Sequence, residues 1–529
     1  MSLDKYLETE ESPAMAEAGQ TKPIRLSPSG NPLYPAVTDD PLDPLNWNFV
    51  QKYTCIVIAC FAYCLLTYFT TAPVPSFTEL QVQFDTTYTK VNWSFAVPCL
   101  GLAIGPLITS SLAETYGRRI VLIASTAVAV VASGCTSLHG NSLSGYMAAR
   151  FFQGLGAGPS ANIGLTVIND LSFEHERGFR VGLWAMSANI GTVLGAVGMH
   201  ERTEPGSTEY TDCLQWGGFL ASVSQYWISY HVTILFGVLL VCECLFLPET
   251  HYPRVVVLEY ETGLEGQDIP KETMHDALSA IKRTKQLGYL HFRPIPGVSH
   301  PKSWDAVLEF CKLWTYPTIS ISVCCYVFFQ YWWICSIMTM EPLAYETRSV
   351  QVQGLLFIGL LVGLVFAEMF CSGRLSDWLV TRLAHKNDSQ RIPEMRLWLG
   401  YPAAVVSSVG LVLWGISVDK NWHWMTGQVA FFLSDAAGTQ VGNTVLSTYI
   451  VDNYPDFAME VIMFYSVVIN LSAFINPWFI SLWVGESGWS WTFTAQGIIC
   501  SLGLIPAYAL LHRFGSHMRK PLRLVAVRE

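Results

Sequence analysis

The stretch Leu112-Ala113-Glu114-Thr115-Tyr116-Gly117-Arg118-Arg119 joins two long apolar runs by a short turn that carries one carboxylate and two arginines. A related stretch, Gly373-Arg374-Leu375-Ser376-Asp377, follows an apolar run in the second half of the chain. An acid at a helix end with arginines beside it can form an ion-pair latch that breaks and re-forms as two bundles move. The alternative is a basic membrane anchor with a turn glycine, but the repetition favours the latch. Its predicted members are Glu114, Arg118, Arg119 and Asp377.

The composition places these turns in a membrane protein. Of the 529 residues, 51% are hydrophobic and 14% are charged, against roughly 25% charged in an average soluble protein. A membrane-spanning helix needs about 20 consecutive apolar residues. Twelve such runs lie near 53–75, 94–113, 119–138, 143–168, 180–200, 228–247, 313–339, 350–370, 398–417, 424–449, 459–481 and 490–511. The predicted fold is an all-α membrane protein with twelve transmembrane helices.

One long polar interior segment divides the runs into six and six, a pattern typical of an internally repeated transporter. The predicted domains are an N-terminal tail (1–52), a six-helix bundle (53–247), a central loop (248–312), a second six-helix bundle (313–511) and a C-terminal tail (512–529).

Basic residues predict the orientation, because cytoplasmic loops carry the excess of Lys and Arg. With the N-terminus inside, 26 of the 31 Lys and Arg residues lie in the tails and the cytoplasmic loops. We therefore expect both termini and the central loop to be cytoplasmic. Asn92-Trp93-Ser94 is the glycosylation sequon on the outer side, so Asn92 is a candidate glycosylation site.

Several classes of function lack support in the sequence. The net charge of −10 argues against a nucleic-acid partner. The sequence has no nucleophile elbow, phosphate-binding loop or metal-ligand spacing. We therefore expect no enzyme activity, cofactor or metal. The expected partners are a small-molecule substrate, protons and the lipid bilayer, and we expect the chain to function as a monomer.

The first turn resembles the loop 2-3 motif of the major facilitator superfamily, Gly-x-Leu-Ala-Asp-Arg-x-Gly-Arg-Arg/Lys, with Ser110, Glu114 and Thr115 as departures. Arg150-Phe151-Phe152-Gln153-Gly154-Leu155-Gly156 is similar to its Arg-x-x-Gln-Gly-x-Gly motif. The resemblance implies two six-helix bundles of the major facilitator fold and associates Arg150 with proton transfer. A buried arginine also needs a partner or a water-filled cavity.

Three further stretches resemble a fungal branch of that superfamily. Residues 40–47, Asp-Pro-Leu-Asp-Pro-Leu-Asn-Trp, are similar to the segment before the first span of fungal twelve-span drug:proton antiporters. Residues 393–397 and 452–456 are similar to the subgroup that contains yeast polyamine and cation transporters. The resemblance implies efflux at the plasma membrane.

The fifth span bears on direction, because antiporters of this family carry Gly-x-x-x-Gly-Pro-x-x-Gly-Gly there. Here Gly191 and Gly195 begin the motif, Ala196 stands in place of proline, and the chain turns polar. Removing residues 198–215 would restore the spacing. This segment is either an insertion, such as a retained intron, or a true extended outer loop.

Acidic groups inside the spans are candidates for proton coupling. Asp435 lies about eleven residues into the tenth span, where a charged carboxylate costs about 2.5 kcal/mol or more. Thr439 and Asn443 follow at i+4 and i+8, so the three share one helix face. Together with Arg150, Asp435 and Glu243 of the sixth span are the predicted proton-coupling residues. A purely structural pairing of Asp435 is the alternative.

Aromatic density in the seventh span could stack a planar substrate or attract a cation, or could anchor the helix at the interface. In the superfamily, spans 1, 4, 7 and 10 line the central cavity. The predicted cavity residues are Tyr63, Gln153, Asn162, Tyr326, Gln330, Trp333, Thr439 and Asn443.

The sequence thus predicts a proton-coupled secondary transporter that exports a small hydrophobic or amphipathic molecule, a drug or a secondary metabolite, by alternating access. One alternative is a proton-coupled importer of cations, polyamines or another nutrient. Another is a non-transporting membrane sensor whose central loop engages cytosolic partners.

Overall fold

The chain folds into helices throughout the part described by this computed structural model. The structure describes residues 35, 37–38, 40–138, 142–197, 226–254, 257, 294–295, 300–302, 304–348, 353, 356–367, 370, 375–386, 392–454 and 457–519. The α-helices in these ranges are α1 Phe49–Thr71, α2 Phe77–Gln83, α3 Tyr88–Tyr116, α4 Arg118–Thr136, α5 Leu143–Ala157, α6 Pro159–Asp170, α7 Glu174–Val197, α8 Tyr226–Phe246, α9 Asp305–Leu313, α10 Pro317–Tyr326, α11 Trp332–Ala344, α12 Ile358–Phe366, α13 Ser376–Lys386, α14 Gly400–Asp419, α15 Trp424–Ser434, α16 Asn443–Asn453, α17 Ala458–Ile475, α18 Ile480–Ser487 and α19 Trp489–Met518.

Eight helical stretches of the described chain are long and apolar enough to cross a membrane. They are Phe49–Gln83, Tyr88–Tyr116, Arg118–Thr136, Trp227–Phe246, Pro317–Ala344, Pro393–Asp419, Met459–Trp478 and Trp489–Met518. The predicted spans four, five, eight and ten are also helical where the structure describes them, in α5 to α7, α12, and α15 to α16. The suspected insertion 198–215 and most of the central loop lie outside the described residues.

Buried apolar side chains form two main clusters. The first cluster contains large side chains of α1, α6 and α8, such as Phe69, Ile168 and Phe236. The second is built mainly from α10 to α19, with Trp414, Phe431 and Phe493 among its fully buried side chains, and it extends into α2 and α3 of the first bundle. In a bilayer, where lipid tails are as apolar as leucine, close packing of these side chains, and not their removal from water, holds the helices together.

Glycines set how closely helices approach in the first bundle. A Cβ at Gly154 in α5 would overlap the Pro98 carbonyl oxygen of α3. Gly191 and Gly195 of α7 lie in the same way against α1, where a Cβ would overlap the carbonyl oxygens of Cys64 and, for Gly195, of Tyr68. Small residues let transmembrane backbones approach closely. The glycines of the two motifs therefore serve helix packing.

The residues just before α1 form a compact hydrogen-bonded segment that packs on the loop after α8. Asp43 accepts from the Leu45 N–H at 3.0 Å and pairs with the Arg254 guanidinium at 2.9 Å. The Asn46 amide donates to the carbonyl oxygens of Thr38 and Asp40, each at 2.8 Å. This segment joins the start of α1 to the loop after α8. A hydrogen bond between Tyr68 Oη of α1 and His231 Nε2 of α8, at 2.6 Å, joins the same two helices again.

We call the side where α1 begins the near side, and the side where α1 ends the far side. The bundles contact each other at the far side. There Tyr88 Oη of α3 donates to the Thr339 carbonyl of α11 at 2.8 Å, and the Ser481 hydroxyl donates to that of Thr89 at 3.0 Å. The Trp93 and Trp478 rings stack with their centroids 4.3 Å apart. The far side is therefore closed.

Asn92 belongs to this closure. Its side chain is 0% exposed, and its Nδ2 donates to the Pro477 carbonyl at 3.4 Å. Because a glycan would be attached to that nitrogen, this geometry argues against the sequence-based expectation of glycosylation at Asn92.

Candidate functional site between the two bundles

Arg150 lies in α5 with its guanidinium buried, at 3% exposure. Its Nη1 donates to the Phe69 carbonyl of α1 and to Gln153 Oε1, each at 2.9 Å, and its Nε donates to the Ser94 carbonyl at 3.4 Å. Its Nη2 has no hydrogen-bond partner within the described chain, and no ion pair to Arg150 occurs there. Arg150 is thus a buried cation held by backbone carbonyls of two other helices.

Gln153 connects this arginine to α4. It accepts from Arg150 and donates from Nε2 to the Ser133 hydroxyl at 2.7 Å. With 2% exposure, its side chain orients the guanidinium and does not line an open surface in this conformation.

Asp435 begins a π-helical segment, Asp435–Gly442, that separates α15 from α16. Its carboxylate is 1% exposed and faces α12, where a Cβ at Gly363 would lie 3.3 Å from Oδ2. Tyr326 is among its electrostatic neighbours. π-helical insertions frequently occur at functional sites, and this one presents a carboxylate inside the second bundle.

A second π-helical segment, Val327–Tyr331, interrupts the predicted seventh span between α10 and α11. It carries Gln330, which is 0% exposed and whose Oε1 and Nε2 lack partners in the described part of the chain. A Cβ at Gly442 would overlap Gln330 Oε1. The two π segments therefore face each other, with a glycine of one making room for the amide of the other.

Tyrosines surround this junction. The Tyr326 and Tyr465 rings stack with centroids 5.9 Å apart, and Tyr465 Oη donates to Asn443 Oδ1. Tyr63 of the first bundle lies close enough to interact electrostatically with Tyr465 of the second, and its ring stacks on Trp184 at 4.0 Å. Phenol rings and hydroxyls can contact both the apolar face and the polar groups of an amphipathic molecule.

The other predicted cavity residues are placed less centrally or are not described. Trp333 is 4% exposed and packs edge-on against Trp483 of α18. Asn162 is half-buried in α6. The Thr439 side chain lies outside the described residues.

Glu243 lies in α8 against α4, where it accepts from the Thr126 hydroxyl at 3.1 Å. It is fully buried, and its Oε2 has no partner in the described chain. It is one turn from the near-side end of α8 and within the first bundle. The structure therefore does not bring it together with Asp435 or Arg150.

The predicted latch has other partners than the sequence suggests. Arg118 forms an ion pair with Asp170 at the end of α6 and donates to the Thr166 carbonyl at 3.3 Å. Arg119 donates to the Cys244 carbonyl at 2.7 Å. Glu114 has Arg118 and Glu460 of the second bundle as electrostatic neighbours. The Asp377 side chain lies outside the described residues.

Glu249 completes the near-side network. It accepts from the N–H groups of Arg118, at 2.9 Å, and Arg119, at 3.1 Å, and from the His251 N–H at 2.9 Å. Burial raises the pKa of Glu249, while these donors lower it. Burial and the charge of Arg118 lower the pKa of His251 to about 3.

Sequence reasoning missed four residues of these networks: Asp170, Glu249, Glu341 and Tyr465. Asp170 and Glu249 lie at or just beyond helix ends, where polar residues are common and carry no distinct signal. Glu341 is fully buried near the far-side end of α11; it lies two residues beyond the predicted seventh span, 313–339, so its burial could not be read from the sequence. Tyr465 carried no signal, because tyrosines are common in membrane helices.

Two helical bundles that meet around buried polar groups, with apolar helices of spanning length, are the arrangement expected of a membrane transporter. The model of the Major Facilitator Superfamily matches residues 59–475. The chain belongs to that superfamily.

Relatives are fungal transporters. A probable efflux pump, mfs2, of Aspergillus flavus is 24% identical over 457 residues, covering 84% of this chain and 98% of that protein. The efflux pump radE of Floropilus chiversii is 24% identical, over 91% of this chain and 83% of that protein.

Among solved structures, the chain is similar to the xylose transporter XylE from E. coli in a partially occluded inward-open conformation. The TM-score is 0.60 at 14% identity, over 91% of this chain and 100% of that chain. This likeness confirms the predicted all-α major facilitator fold.

Proposed function

We propose that the protein is a proton-coupled exporter of small hydrophobic or amphipathic molecules that works by alternating access. The observation that carries the proposal is the Asp435 carboxylate, 1% exposed on a π segment, with Tyr326 among its electrostatic neighbours. A group in this position can bind and release a proton as the surrounding bundle opens and closes. Protonation then shifts the balance between the two openings, because only differential binding can do so.

The cargo class is inferred from the side chains near Asp435. Tyr326, Tyr465, Tyr63, Asn443 and Gln330 are closely packed in this conformation, and in our proposal their ring faces and amides form a wall of the cavity when the bundles open. Such a wall suits a partly aromatic molecule with few polar groups better than a strongly hydrated solute.

Arg150 fits the same cycle. Its guanidinium is held by the carbonyl oxygens of Phe69 and Ser94 and has no acid beside it in the described chain. In our proposal it repels a proton or cationic cargo from the first bundle, and so favours release when the site opens outward.

Two observations support export as the direction of transport. Of the similar fungal proteins named above, one is an efflux pump and the other a probable efflux pump, and the basic residues predict cytoplasmic termini at the near side. We place the protein in the plasma membrane, acting as a monomer, with its far side outside the cell.

The test is accumulation of a compound panel, from lipophilic drugs to polyamines, in yeast stripped of its own pumps. We expect lower accumulation with the protein, abolished by a protonophore and by Asp435→Asn. Asp419→Asn, which changes a half-exposed carboxylate at the far-side end of α14, is the matched control and should keep full activity. Higher accumulation would instead indicate import, and full activity of Asp435→Asn would remove Asp435 from the mechanism.

A further inference from the structure

Glu341 lies one turn before the far-side end of α11 and is 0% exposed. In the described chain, neither of its carboxylate oxygens has a partner at the distance and angle of a hydrogen bond. The donors that face it are the Trp414 indole of α14 and the Gln428 amide of α15. Gln428 Oε1 accepts from the Gly359 N–H at 3.1 Å, which leaves its amino group for Glu341.

No buried cation offsets the charge of Glu341 among the described residues. The other titratable and charged groups on or next to the elements packed around this end of α11 are Glu79, Tyr88, Lys90, Tyr345, Glu346, Arg348, Asp419, Lys420, His423, Asp435 and Glu486. The three cations in this set, Lys90, Arg348 and Lys420, are all exposed. A buried carboxylate without a paired cation is costly when ionised, so the closed far side accommodates Glu341 in its neutral form.

Glu341 lies directly behind the contact that closes the far side. Tyr88 donates to the Thr339 carbonyl, two residues before Glu341, at 2.8 Å, and interacts electrostatically with Glu341 itself. Separation of α3 from α11 would remove Tyr88 and admit water to the carboxylate. Opening and closing the far side therefore change the solvation of Glu341 more than that of a group deep in either bundle.

We propose that Glu341 is a proton-binding group of the far-side gate. With the gate open, Glu341 takes a proton from far-side water. The gate then closes over the neutral acid, and the ionised carboxylate favours the open gate. This inference rests on the proposed function only for direction, since a far side outside the cell makes the external proton the one that closes the gate.

The test measures gate opening without cargo, in the purified full-length protein in nanodiscs. Ser481→Cys places a reporter thiol in the gate, and native Cys135, exposed at the far-side end of α4, is the internal standard. Both thiols react with a maleimide for a fixed time at each pH between 5.5 and 8.5. Peptide mass spectrometry then gives the ratio of label on the introduced gate thiol to label on Cys135. Dividing this ratio by the same ratio in the denatured protein at each pH removes the intrinsic pH dependence of the two thiols.

We expect the ratio to rise at least threefold with pH in the otherwise unchanged protein. Glu341→Gln should hold the ratio low and flat, and Glu341→Asp should restore the rise. Trp414→Phe removes one donor to the carboxylate and should move the midpoint to higher pH. A flat ratio in the parent protein, an unchanged profile in Glu341→Gln, or an unmoved midpoint in Trp414→Phe would each overturn the proposal.

Failure of this proposal and failure of the proposed function are distinguishable. If the protein exports no compound of the panel, but its gate loses the pH response in Glu341→Gln, the proposed export function is wrong and the proposed role of Glu341 stands. If export is protonophore-sensitive, but the gate profile is unaltered in Glu341→Gln, the proposed role of Glu341 is wrong and the export function stands.

Discussion

Glu249 caps the first turn of α4 through the backbone of Arg118, its Oε1 lying 2.9 Å from the Arg118 nitrogen, although the two residues are 131 positions apart. The contact satisfies N–H groups that a helix start leaves without partners. It also places a carboxylate at the positive end of the helix dipole. The end of α8 is therefore fixed to the start of α4.

Glu249→Ala should destabilise this junction by about 1–2 kcal/mol, because capping side chains contribute that amount. The expected result is a lower apparent melting temperature of the purified protein and reduced transport. Glu486→Ala, which changes an exposed carboxylate of α18, should leave both unchanged. Equal stability of the two variants would contradict the role given to Glu249.

Arg150→Lys should reduce transport between tenfold and a hundredfold, about 1.4–2.8 kcal/mol, although the charge is kept. Lysine cannot hold the carbonyls of Phe69 and Ser94 and the Gln153 oxygen from one planar group. Initial efflux rates at equal surface expression measure this. Arg513→Lys, at an exposed position of α19, is the control. Wild-type rates in Arg150→Lys would mean that charge alone suffices.

Gly191→Ala should impair folding or surface expression, because its Cβ would overlap the Cys64 carbonyl oxygen and push α7 away from α1. Gly182→Ala in the same helix meets nothing within 4 Å and should be neutral or slightly stabilising. The yield of monodisperse protein compares them. Similar yields would show that the helices can separate at little cost.

His251 should make stability fall at acidic pH. Its pKa is lowered to about 3 by burial, against about 6.5 in an unfolded chain. The stabilisation is therefore complete above pH 6.5 and is lost as the pH falls from 6.5 towards 3. By pH 5 the loss amounts to about 2 kcal/mol. Melting temperatures from pH 7.5 to 5 should fall less steeply in His251→Asn, and an identical slope would exclude this histidine as the cause.

The sequence predicted the helical spans and the superfamily well, because apolar length and the turns around Gly117 and Arg150 are local signals. It could not predict which groups meet. Arg118 pairs with Asp170 and is capped by Glu249, and neither contact follows from spacing or periodicity. Glu243 and Asp435 read alike as intramembrane acids, yet one lies between α4 and α8 and the other on a π segment. Only the packing of helices distinguishes them.

The ion pair of Asp43 and Arg254 joins the first and sixth spans of the first bundle beyond the membrane, and the hydrogen bond of Tyr68 and His231 joins them within it. The helices of this bundle therefore form a closed ring. A ring of helices resists shear between its members better than an open row. The short polar segment before the first helix thus holds two spans of this bundle together on the near side.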